Sequence, residues 1–187
     1  MMNPTSNKKD FEDLSTALRD LAYSYIEKYS PSKQQLKVFL MKKVLIKFKS
    51  SKSKKEISEL IDKVLINLEE NKFINDELYS DSKSRTLLRR GYSLNKINQS
   101  LRHKGIDSKY IKQSIDKIKE DQIEPDFVSA LKLCKRRRIG PVRPQANREL
   151  FYKKDMGVLA RAGFSFEISK KVLNLELDEY NKLIKII

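Results

Sequence analysis

The stretch LRHKGIDSKYIKQSI runs from Leu101 to Ile115, and LARAGFSFEISKKVL runs from Leu159 to Leu173. Laid together, Leu101 falls on Leu159, Gly105 on Gly163, Ile106 on Phe164, Asp107 on Ser165 and Ile115 on Leu173. Each copy reads as a helix that ends at glycine, an apolar residue at the corner, and an Asp or Ser that caps the next helix. A corner that recurs in register implies a repeated unit. A unit of three short helices buries too little apolar surface alone, so neighbouring units must stack and share a core. The expectation is an elongated, modular, all-α molecule.

The rest of the chain supports helices and gives no sign of strands. Five glycines and five prolines in 187 residues are too few for the regular turns of a β-sandwich or barrel. Leu14, Leu18, Leu21 and Tyr25 mark the inner face of a first helix, capped by Asp10 or Asp13 after a disordered stretch 1–9. Ser30 and Pro31 read as cap and first residue of a second helix, with Leu36, Phe39 and Leu40 inward. Lysines and serines from Ser50 to Lys55 form a loop. The third helix places Ile57, Leu60, Ile61, Val64, Leu65 and Leu68 on one face.

Asn75 or Asp76 caps a fourth helix with Leu78, Tyr79 and Leu87 inward, ending at Gly91. Ser93 caps the fifth, with Leu94, Ile97 and Leu101 inward. Asp107 caps the sixth, with Tyr110, Ile111, Ile115 and Ile118 inward. Pro125 opens the seventh, with Phe127, Ala130, Leu131 and Cys134 inward. About nine helices of one to four turns result. They group as a first repeat over 10–74, a second over 75–122 and a third over 123–187.

Charge narrows the partner. Forty basic and 25 acidic residues leave a formal net charge of +15, which suits a polyanion such as nucleic acid or a nucleoprotein filament. One histidine and one cysteine supply neither a triad nor a multi-cysteine metal site, and no Gly-rich phosphate loop occurs. No catalytic residue, metal or cofactor is expected, and no constellation of residues supports an enzyme. The N-terminus has no apolar leader and no run reaches the length of a membrane span, so a cytoplasmic monomer is expected.

Three basic groups are candidates for binding. Lys135, Arg136, Arg137 and Arg138, followed by Arg143, lie in CKRRRIGPVR at a helix end. The helix dipole favours one or two cations there, but not four. A second group is the acid-free run of lysines from Lys33 to Lys55, including Lys42 and Lys43. The third is Arg85, Arg89, Arg90, Arg102 and Lys104, around Gly91 and Gly105.

The order of these pieces resembles the RecX regulatory proteins, modulators of the RecA recombinase. SPSKQQLKVFLMKK (30–43), ENKFINDELYSD (70–81), RRGYSLNKINQSLRHKGI (89–106), CKRRRIGPVR (134–143) and KKDMGVLARAGFSFEISKKVL (153–173) carry the resemblance, within 14–175. Asn71 stands where the family's turn usually has glycine. The resemblance implies three tandem three-helix repeats in a curved, solenoid-like rod. It implies binding to RecA and to the RecA–ssDNA filament, with inhibition of its ATPase, strand-exchange and co-protease activities in the SOS response. The alternative is a helical module that binds ssDNA or dsDNA directly.

Overall fold

A computed structural model describes residues 4–47 and 53–186, with side chains outside 4–11 and 47. Among the described residues it contains ten α-helices and no strand: α1 (Pro4–Tyr29), α2 (Lys33–Lys47), α3 (Lys54–Glu70), α4 (Asp76–Arg89), α5 (Leu94–His103), α6 (Ser108–Asp121), α7 (Pro125–Arg137), α8 (Gln145–Arg161), α9 (Phe166–Leu173) and α10 (Leu177–Ile186). A 3-10 turn, Gly140–Val142, lies between α7 and α8. The chain divides into two compact units. One holds the residues up to Tyr79 together with Lys104–Asp107, and the other holds Ser80–His103 with everything from Ser108 onward.

The first unit packs α1, α2 and α3. Leu14, Leu18 and Ala22 form the buried row of α1, and Leu36, Leu40 and Val44 that of α2. The α3 face is the one its period dictates, with Ile57, Leu60, Ile61, Val64, Leu65 and Leu68 all buried. Phe39 is only half-buried, because its ring stacks on Tyr25 at 3.9 Å at the edge of the core.

The caps of this unit differ from expectation. Helix α1 begins at Pro4, so Asp10 and Asp13 lie inside it and the supposedly disordered 1–9 overlaps its start. Ser30 has φ 40 and does not cap α2. The cap is Ser32, whose Oγ accepts the Gln35 N–H at 3.2 Å while Gln35 Oε1 accepts the Ser32 N–H at 3.2 Å. This reciprocal box satisfies two N–H groups that the first turn leaves free. Ser53 and Glu56 build the same box at α3, so Ser53 is a cap and not a loop residue.

In the second unit, Phe127, Ala130, Leu131 and Cys134 of α7 meet Leu159 of α8 and Val172 and Leu173 of α9 in one core. Helix α4 departs most from expectation. Leu78 is exposed and Leu87 half-buried, while Ser80, Ser84 and Leu88 form its buried row. Ser80 Oγ donates to the Tyr110 carbonyl at 3.2 Å, and Ser114 Oγ lies 2.8 Å from Ser80 Oγ and 2.6 Å from Asp81 Oδ1. Small hydroxyl side chains let α4 and α6 approach closely, and hydrogen bonds offset the cost of burying Ser80 and Ser114, whereas the Ser84 hydroxyl is buried without a partner among the described residues. Ser114 accordingly takes the inner place expected of Ile115, which is half-buried.

The repeated corner is present in both copies. Gly105 and Gly163 have φ of +73 and +91, the left-handed region that glycine enters without penalty. Ser32 Oγ donates to the Lys104 carbonyl at 2.7 Å, and the Ser93 N–H donates to the Ala162 carbonyl at 3.1 Å. A Cβ on Gly105 would collide with Gln34 in the first turn of α2. One on Gly163 would collide with Ser93 and come 2.8 Å from Lys96 Cβ at the start of α5. Each glycine corner is therefore seated on the N-terminus of a helix 72 or 69 residues earlier in the chain, through the Ser32 hydroxyl in one copy and the Ser93 backbone N–H in the other.

Those N-termini share a further device. The Lys33 N–H donates to Asp76 Oδ1 at 2.8 Å, and the Leu94 N–H to Asp126 Oδ1 at 2.7 Å. Asn75 caps α4 by accepting the Leu78 N–H at 3.0 Å, which leaves Asp76 for α2. Burial pushes the carboxyl groups of both Asp76 and Asp126 above the ordinary Asp value.

Candidate functional site

Helix α7 ends in CKRRRIG. Cys134 is fully buried, and burial with help from Asp155 pushes its thiol up to about 12, so it is core and not a nucleophile. Lys135, Arg136 and Arg137 form the exposed last turn, and Arg138 takes the left-handed end position at φ 54 and ψ 51. Glycine is the usual occupant of that position. Among the described residues these four cations make no ion pair.

Arg143 has a different fate. Its Nε and Nη2 donate to Asp155 Oδ2 and Oδ1 at 2.6 and 2.8 Å. Asp155 is 1% exposed and also accepts the Gly140 N–H at 2.9 Å. The guanidinium lies over the Phe151 ring at 4.5 Å, and the hydrogen bonds to Asp155 raise its pKa. Arg143, a binding candidate by sequence, is thus committed to holding the Gly140–Arg143 corner. Arg148 adds to the same clasp, donating to the Pro141 carbonyl at 2.7 Å.

Above this corner a cleft of about 390 Å³ opens between the end of α7 and α8. Arg136, Arg137, Lys154 and Arg161 surround it, and Asp155, already neutralised by Arg143, is its one acid. Lys154 and Arg161 are seven residues apart on α8, two turns along one face. Sequence reading missed both. Their signal is the spacing Lys154–Val158–Arg161, which becomes meaningful only once α8 is known to face α7. Four guanidinium or ammonium groups around one cleft can grip phosphates or carboxylates.

The other two groups gather less charge. Lys33 pairs with Glu69 at 2.5 Å and Lys37 with Asp62 at 2.6 Å, so α3 supplies the acids that the lysine run itself lacks. Lys42 is exposed, and Lys43 lies 5.6 Å from the Phe39 ring centre. Lys54 and Lys55 are in the first turn of α3; the side chain of Lys47 and all of Lys49 and Lys52 fall outside the described residues.

Arg85, Arg89, Arg90, Arg102 and Lys104 are divided between the two units. Arg85 pairs with Asp121 at 3.2 Å, both over half exposed, and Arg102 Nε donates to Asn98. Arg89 and Arg90 are exposed at the end of α4, and Lys104 belongs to the first unit. His103 is exposed at the end of α5.

Among the described residues no helix is long and apolar enough to cross a membrane. The family described as RecX, second three-helix domain, matches residues 75–115. The chain is 33% identical over 162 residues to "Regulatory protein RecX" of Myxococcus xanthus (strain DK1622), covering 85% of each. No solved structure matches it.

Proposed function

The chain belongs to the RecX family of regulatory proteins, and on that premise we propose that it binds a RecA-type recombinase and the filament this forms on single-stranded DNA, chiefly inhibiting its ATPase, strand-exchange and co-protease activities. The observation that carries this reading is the identity to a regulatory protein along 85% of both chains. The net charge of +15 and the four cations around the α7–α8 cleft, which make no ion pair among the described residues, support a polyanionic filament as the target. A cytoplasmic monomer whose three repeats form a curved rod belongs to the same reading, and small-angle scattering tests its shape.

The test is the single-stranded-DNA-dependent ATPase of RecA. Substoichiometric protein should lower ATP turnover. Unchanged turnover at saturating protein removes the proposal. The second reading, direct DNA binding, is favoured by the same four cations of the cleft. It requires an affinity for DNA alone that falls steeply with salt, because neutralised phosphates release counterions.

A further inference from the structure

Helix α2 carries more apolar surface than its own unit covers. Leu36, Leu40 and Val44 face the core. On the other side Val38, Leu45 and Ile46 are 58%, 51% and 66% exposed, and with Met41 they border an open apolar cleft of about 470 Å³. Surface helices rarely spend three exposed aliphatic side chains on solvent in one patch.

The spacing of this face is specific. Val38, Met41 and Leu45 are separated by three and four residues, the a, d, a positions of a heptad. Lys37 and Lys42 then occupy the flanking g and e positions, whose charges select the partner of a paired helix. The seam is about 10 Å long, two helical turns. Its N-terminal continuation is the exposed, polar Gln34, which also borders the cleft and ends the apolar row.

The charges discriminate between occupants. Helix α2 has five lysines and no acid, so pairing with a second copy would set lysine against lysine. Lys37 already holds Asp62, which leaves Lys42 as the main free charge. Two turns without an exposed aromatic make a poor membrane anchor, since the one ring on the helix, Phe39, is stacked on Tyr25. What fits is a partner helix with apolar residues at i, i+3 or i+4, and i+7, flanked by Glu or Asp.

We propose that the outer face of α2, centred on Val38, Met41 and Leu45, is a docking seam for an acidic amphipathic helix of a protein partner. The seam is independent of the α7–α8 cleft and of the regulatory reading above.

Fluorescence anisotropy on the full chain tests it with two designed three-heptad peptides. Both carry Leu at a and d; one has Glu at e and g, the other Lys. The Glu peptide should bind at least tenfold tighter. Leu45→Glu should abolish that binding, and the double variant Lys37→Glu/Lys42→Glu should reverse the preference. Circular dichroism and thermal unfolding check that the variants keep their fold, which solvent-facing positions should allow. Equal affinity for the two peptides, or binding unaffected by Leu45→Glu, overturns the proposal. So does co-sedimentation with anionic vesicles, or self-association in ultracentrifugation, that Leu45→Glu removes, because the seam would then serve a membrane or a second copy.

Discussion

Arg143 and Asp155 form a two-pronged ion pair across twelve residues, at 2.6 and 2.8 Å, with the carboxylate 1% exposed and also holding the Gly140 N–H. The pair fastens the turn after α7 to α8 and so fixes the floor of the basic cleft. Asp155→Ala should leave a guanidinium and an N–H without their partner and cost about 3 kcal/mol. Urea denaturation measures this. Arg143→Met should be at least as severe, because it leaves a carboxylate that is 1% exposed with the Gly140 N–H alone, whereas after Asp155→Ala the 20% exposed guanidinium can still reach water. Equal, negligible losses would mean that the corner holds without the pair.

Gly157 and Gly163 should respond in opposite directions to alanine. Gly157 lies within α8, and an added Cβ would meet only Arg161 Nη1, at 3.5 Å. Gly157→Ala should stabilise by about 1 kcal/mol through helix propensity. Gly163→Ala should destabilise by about 1–2 kcal/mol from its left-handed backbone alone, and by more where the Cβ strikes Ser93 and Lys96. Thermal unfolding of the two variants checks the sign. Destabilisation at Gly157 as great as at Gly163 would refute the seated corner.

Asp126 supplies a pH test. Its carboxyl is raised by burial, against the lowering effect of the Leu94 N–H bond. A carboxyl raised on folding takes up protons in the folded state. Its contribution is thus fullest below the ordinary Asp value and declines as pH rises through the folded value. Asp126→Asn keeps an oxygen for the Leu94 N–H without burying a charge. Relative to this variant, the wild type should lose stability as pH is raised from the acid side through the carboxylate range. A difference that stays flat with pH, or has the opposite slope, refutes the account.

These sites explain which parts of the fold could be read from the sequence. The α3 face was legible because six aliphatic residues repeat at the helical period and nothing else competes. The two corners were legible because glycine, an apolar residue and a cap recur at one spacing. The inner row Ser80, Ser84 and Leu88 was not, since serine gives no hydrophobic signal and the partners of Ser80 lie about thirty residues away. Asp76 read as a local cap but holds an N–H group 43 residues earlier, and Asp126, which carried no reading from sequence, holds one 32 residues earlier. At the candidate site, Arg136 and Arg137 stood out as a run. Lys154 and Arg161 did not, because each is an ordinary helix cation until α8 is placed against α7.

Arg138 separates charge from fold. It occupies a left-handed helix end at φ 54, where glycine would sit without strain. Arg138→Gly should therefore keep or raise stability by about 1 kcal/mol while removing one cation. In the RecA ATPase assay it should weaken inhibition modestly. Arg136→Glu/Arg137→Glu should weaken it strongly, as both line the cleft. Lys170→Glu, exposed in the last turn of α9 and in none of the candidate groups, serves as a charge-reversal control. If all three variants inhibit like wild type, the basic end of α7 is a helix terminus and no more. If Lys170→Glu is as damaging as the cleft variant, net charge and not the cleft drives the interaction.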